Sequence, residues 1–133
     1  LQGSQSKKWL VLRQKDAYYG NVNINTIEYA SPVYIVDANT PAVRVTKWDC
    51  ENQGSSYPPL EQQWSAVPMP SYAETADGTD AEMTIYQPST DQMWEFWNAR
   101  KVNGQWQGCW GGCMQNVSKS SGIWSWPFGA TAV

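Results

Sequence analysis

Met93-Trp94-Glu95-Phe96-Trp97-Asn98-Ala99-Arg100-Lys101-Val102, then Asn103-Gly104, then Gln105-Trp106-Gln107-Gly108-Cys109-Trp110, is the stretch on which the fold turns. Asn-Gly is the preferred pair for a two-residue type I′ hairpin turn, because both central residues must take positive φ. The turn fixes the register. Val102 faces Gln105, Lys101 faces Trp106, Arg100 faces Gln107 and Ala99 faces Gly108. Further out, Asn98 faces Cys109, Trp97 faces Trp110 and Glu95 faces Gly112. Side chains on a strand alternate between faces. One face then carries Met93, Glu95, Trp97, Ala99, Lys101, Trp106, Gly108 and Trp110. The other carries Trp94, Phe96, Asn98, Arg100, Gln105, Gln107 and Cys109.

Three Trp on one face, around the small residues Ala99 and Gly108, admit two readings. In one, the Trp face is core, the Asn-Arg-Gln face is wet, and aromatic cross-strand pairs stabilise the sheet. In the other, Trp97, Trp106 and Trp110 form a shallow groove on which sugar rings stack by their apolar C–H faces. Glu95 and Arg100 would then take the hydroxyls.

The rest of the chain reads as short strands with turn punctuation and no amphipathic helix. Strands are expected at Lys8 to Arg13, Asn21 to Tyr29, Pro32 to Val36 and Ala42 to Trp48, with Asn39-Thr40-Pro41 as a turn. Glu82 to Gln87 is another. Residues 49–81, with Pro58, Pro59, Pro68 and Pro70, form a long irregular connection with one short strand at Gln62 to Val67. Connections of this length are usually functional or wrapped on the surface. Many short strands without helices define an all-β class, an antiparallel sandwich or jelly-roll-like fold. The 133 residues fit one domain, with residues 1–6 set apart as a tag or unstructured lead.

Composition narrows the function. The chain is 41% hydrophobic and 16% charged, too apolar for a disordered chain. The net charge is −3 and the nine basic residues form no stripe, so nucleic acid is a poor partner. No run approaches the ~20 apolar residues of a membrane span. Nine Trp and seven Tyr stand against two Phe, a bias toward rings with a polar handle that suits half-wet sites. Histidine is absent, which removes the commonest general base and metal ligand.

Without histidine, an enzyme would turn to carboxylates, and a glycoside hydrolase needs two. Glu95, between Trp94 and Trp97, is the first candidate, since desolvation there would favour its protonated, acid-catalyst form. Glu82 or Asp91 would be its partner. The alternative for Glu95 is an ion pair with Arg100 or Lys101, or plain solvation. Asp77-Gly78-Thr79-Asp80-Ala81-Glu82 places oxygens at alternating positions, so Asp77, Asp80 and Glu82 are calcium candidates, though the pattern of an EF-hand is incomplete. No other cofactor is implied. Asn116-Val117-Ser118 is a glycosylation sequon.

Three cysteines give one disulfide and one free thiol. If the strand runs through Gly111, Cys109 and Cys113 are four residues apart on one face, about 13 Å, which is beyond bridging reach. Cys50 then pairs with Cys109 or Cys113. A turn at Gly111-Gly112 would instead let Cys109 bond Cys113. Trp124-Ser125-Trp126-Pro127-Phe128 is a second aromatic cluster, either an exposed clamp for a ligand or partner or a plug folded back on the domain.

The run Ile85-Tyr86-Gln87-Pro88-Ser89-Thr90-Asp91, followed by Trp94-Glu95-Phe96-Trp97 and Trp110-Gly111-Gly112, resembles a family of uncharacterised exported bacterial proteins. The resemblance spans mainly residues 82–129. It implies an exported β-rich protein and carries no activity over. It also implies a fold that continues past this chain's end, completed by a second chain or another copy. The cysteines flanking Trp110-Gly111-Gly112 depart from the family pattern. The leading expectation is a secreted carbohydrate-binding module for a polysaccharide. A carboxylate-dependent glycoside hydrolase or polysaccharide lyase is the alternative, and an assembly subunit binding another chain is a third class.

Overall fold

A computed structural model describes residues 29–129. Lys8 to Arg13, and Asn21 to Tyr29 apart from its last residue, lie outside the described residues. The fold is all-β. Its strands are β1 (Val33–Ile35), β2 (Ala42–Val43), β3 (Thr46–Lys47), β4 (Val67–Pro68), β5 (Met83–Gln87), β6 (Gln92–Trp97), β7 (Arg100–Val102), β8 (Gln105–Gly108) and β9 (Trp110–Gln115). One short helix, α1 (Pro58–Gln63), and a 3-10 turn at Val117–Lys119 complete it. They form a four-stranded sheet in the order β1-β5-β6-β9, a three-stranded sheet β3-β8-β7 and a small β2-β4 pair. Most pairings are antiparallel; β1 with β5 and β3 with β8 are parallel.

The hairpin turns where its sequence says it should. Asn103 and Gly104 have φ of 50° and 81°, as type I′ requires. Val102 faces Gln105, Lys101 faces Trp106 and Arg100 faces Gln107. Trp97 faces Trp110 and Glu95 faces Gly112.

Strict alternation does not survive the length of the hairpin. Trp94 and Phe96 point into the core, and Phe96 packs on Trp64 at 5.1 Å between centroids. The next inward residue is Ala99, three positions on, rather than Asn98. Asn98 takes a left-handed φ of 49° and absorbs the odd step. The partner strand does the same around Cys109, since Gly108 and Gly111, three apart, both lie against the Trp64 ring. Both strands slip together, so the pairing is kept while the inward face changes over. Backbone groups released by the broken ladder find partners elsewhere. Asn98 N–H donates to Asp80 O (2.6 Å), Ala99 N–H to Ala81 O (3.0 Å), and the Trp48 indole N–H to Asn98 O (2.8 Å).

The connection between residues 49 and 81 contributes to the interior. The short strand expected at Gln62 to Val67 is instead the end of α1, a turn and β4. The prolines explain the difference. Pro58 and Pro59 occupy the first helical positions, where no N–H partner is needed and the fixed φ suits a helix. Six residues are too few for a helix to hold alone. Burial of Leu60 and, just after it, Trp64, both at 0% exposure, fixes it. Val67 and Met69 follow them into a core shared with Val36, Val45, Met83, Ile85, Trp94, Phe96, Ala99 and Trp106.

Cys50 is bonded to Cys109, with Cα atoms 5.7 Å apart, at the point where the hairpin changes face. Gly111 and Gly112 are paired strand residues rather than a turn, and Cys113 is free. No helix among the described residues is long and apolar enough to cross a membrane.

Candidate functional site

The change of face disperses the expected Trp groove. Trp106 is 7% exposed and belongs to the core, with the Lys101 ammonium 5.6 Å from its ring. Trp110 is half-buried, packs on Tyr57 at 5.3 Å, and its indole N–H donates to Pro127 O. Trp97 is half-buried and donates to Asp80 Oδ1 at 3.2 Å. Arg100 is exposed, but its guanidinium lies 3.6 Å over Trp48 and its Nε donates to Gln107. These residues therefore do not present three open rings on one face.

The carboxylates are scattered in the same way. Glu95 is 2% exposed and engaged within the protein. Glu82 is buried, and its carboxyl is pushed above the usual range by that burial and then by the Asp80 charge. Asp91 is held below the usual range chiefly by hydrogen bonds from the Ser118 hydroxyl (2.7 Å) and backbone N–H (3.0 Å). It thereby ties the β5–β6 turn to the 3-10 turn. Around the acidic loop, Asp77 O accepts from Tyr29 N–H. Among the described residues, no three His, Cys, Asp or Glu side chains gather as a metal site, and Asp77, Asp80 and Glu82 form no ligand set there.

A different place offers a cavity, of about 410 Å³, between the end of β9, the 3-10 turn and the segment 120–128. Glycines seat the aromatic residues of its wall. A Cβ at Gly112 would lie 2.9 Å from the Trp124 ring and 3.1 Å from Phe128 Cβ. Gly129, with φ of 110°, is equally tight against Trp124, and its N–H donates to Gly111 O at 3.0 Å. The aromatic segment thus folds back on bare strand backbone. It is held there by a turn closed from Phe128 N–H to Ser125 O (2.9 Å) and by the Trp110–Pro127 hydrogen bond. Phe128 also packs on Tyr57 at 6.3 Å. The segment is divided between packed and exposed side chains. Trp124 and Phe128 pack back, while Ile123 and Trp126 are 78% and 93% exposed.

Trp124, Phe128 and Ile123 give the cleft its apolar side. The carboxamides of Gln63, Gln115 and Asn116, the hydroxyls of Ser120 and Ser125, and the Lys119 ammonium give it polar groups. Gln63 is fixed by its own contacts, its carbonyl accepting from the Trp94 indole (3.1 Å) and its Oε1 from Cys113 N–H (2.7 Å). These contacts, with Gly129, also close the outer edge of β9. Gln115 accepts from Gln92 and donates to Cys113 Sγ at 3.2 Å. Burial pushes the Cys113 thiol up to about 11, against a small opposing pull from Gln115, so it is a neutral thiol at pH 7. Asn116 is exposed, with a left-handed φ of 54°, beside the cleft. None of Glu82, Asp91 and Glu95 lines it.

The sequence flagged the aromatic segment but not Gln63, Gln115, Lys119 or Ser120. Gln63 and Gln115 are 52 positions apart, and only the docking of α1 beside β9 brings them together. No family model matches this chain, and no curated protein or solved structure is significantly similar to it.

Proposed function

We propose that the protein is a non-catalytic glycan-binding domain that works outside the reducing cytosol, and that the cleft of Trp124 and Phe128 is its binding site. The supporting observation is the pairing of an aromatic wall with convergent carboxamides and hydroxyls in one cavity of about 410 Å³. An indole stacks on the apolar face of a sugar ring, and amides exchange hydrogen bonds with its hydroxyls. Trp126, 93% exposed on the same segment, supplies a further ring for a polymer. The candidate carboxylates are buried or held by hydrogen bonds and do not line the cleft. That favours binding over hydrolysis. The Cys50–Cys109 disulfide suits an oxidising compartment.

The test is depletion of the protein from solution by a panel of insoluble and gel-embedded polysaccharides, with reducing ends assayed in the same samples. Binding without new ends, weakened by Gln115→Ala and Trp126→Ala on the exposed rim, is the expected result. New reducing ends would move the reading to a hydrolase. No retention on any polymer would end it.

A further inference from the structure

We infer that the cleft selects sugars carrying a negative group, a uronate carboxylate or a sulfate ester, with Lys119 as the counter-charge. This rests on the glycan reading above. The argument is one of charge placement. The chain has twelve acidic residues and a net charge of −3, yet among the described residues no carboxylate lines this cleft. Among the described residues that line it, Lys119 carries the charge. The other described basic residues lie on or beside the three-stranded sheet: Arg44 and Lys47 at β3, Arg100 and Lys101 in β7. Among the described residues the ion pair is Arg44 with Glu61, and no carboxylate of these residues forms one with Lys119.

Asp91 is within electrostatic reach of Lys119; hydrogen bonds from Ser118 keep it ionised, so it draws on part of the Lys119 field, and the expected preference for an anion is correspondingly modest. Lys119 ends the 3-10 turn, on a flexible stem that carries a hydrated point charge. Carboxamides and hydroxyls beside it supply N–H and O–H donors that an anionic oxygen accepts more strongly than a neutral hydroxyl does. A neutral sugar hydroxyl would accept only the weaker hydrogen bond from that ammonium, without the charge pairing.

The probes are polygalacturonate, dextran sulfate and neutral hydroxyethylcellulose, compared by affinity electrophoresis and by titration at two salt concentrations. One anionic polymer should bind more tightly than the neutral one, and which of the two does so identifies the group. Lys119→Gln should weaken that binding roughly two- to fivefold, the range of an exposed ion pair. Lys119→Glu should weaken it further, and Lys101→Gln, on the other sheet, should not. Raising the salt to about 1 M should remove the preference, since the screening length falls to about 3 Å. Equal binding of hydroxyethylcellulose, unchanged by Lys119→Gln, would overturn the inference and leave the glycan reading standing. Equal losses from Lys101→Gln and Lys119→Gln would also overturn it, as diffuse attraction. Failure of every polymer to bind would remove the glycan reading itself.

Discussion

The two ends of the long hairpin share one register and differ in almost everything else. At the turn end, β7 and β8 behave as a half-buried sheet: Trp106, Ala99 and Gly108 face inward, and Arg100, Gln105 and Val102 face out. At the far end, β6 and β9 are covered on both sides, with Trp64 against Gly111 on one face and Trp124 against Gly112 on the other. One ladder therefore runs from a surface hairpin into an interior sheet, changing face at Asn98 and Cys109. Pairing register and facial alternation are separable: a matched odd step in both strands keeps the first and inverts the second.

The comparison can be broken at the buried end. A Cβ at Gly111 would fall onto the Glu95 carbonyl, at a φ of 150°. Gly111→Ala should cost about 4 kcal/mol or more, in the range reserved for disrupted cores, or prevent folding. Gly104→Ala at the turn meets no atom within 4 Å. It should lose only the left-handed preference, about 1 kcal/mol. Denaturant unfolding of the two variants measures the difference, and similar losses would contradict the asymmetry.

The disulfide clamps the changeover across a separation of 59 residues. Cys50→Ser with Cys109→Ser should lower stability by roughly 2–5 kcal/mol, read as a shift in the denaturation midpoint. The step itself is the next target. Asn98→Gly should be almost neutral, and Asn98→Ala should cost about 1 kcal/mol, because alanine resists the left-handed conformation. If both were neutral, the strain at the step would be carried by other residues.

Smaller effects separate the carboxylates by sign. Asp91, held low by Ser118, contributes stability above the ordinary carboxylate range and loses it as pH falls through its lowered range. Glu82, pushed up by burial, does the reverse and disfavours the folded state as pH rises past the ordinary range. Melting curves against pH should show Asp91→Asn destabilising at neutral pH and nearly silent in acid. Glu82→Gln should be relatively stabilising at neutral pH. The smallest perturbation is chemical. Cys113, titrating at about 11, should react with a maleimide about tenfold faster per pH unit from 7 to 9.

Much of the frame is local chemistry and was legible as such. Asn103-Gly104 specifies its turn because two successive positive φ values suit few other pairs, and the register follows to Glu95 and Gly112. With Gly111 in a strand, strand reach limits the disulfide to Cys50 with Cys109 or Cys113. The helix at Pro58 is not legible in the sequence, because proline signals a break unless the chain begins a helix on it, and only burial of Leu60 and Trp64 makes that start worthwhile.

The candidate site was legible only in its aromatic half. By itself the sequence determined an all-β chain and a hairpin in one register, and it favoured Cys50 as a disulfide partner without excluding Cys109 with Cys113, since turns, pairing and reach depend on neighbours along one or two strands. Tertiary structure decided which face of that hairpin is inside, which cysteine is bonded, and where Gln63 meets Gln115 and Trp124. Those outcomes depend on what packs against the sheet from distant parts of the chain: Trp64 on one face, the glycine-seated aromatic segment on the other. No local pattern encodes that competition for burial.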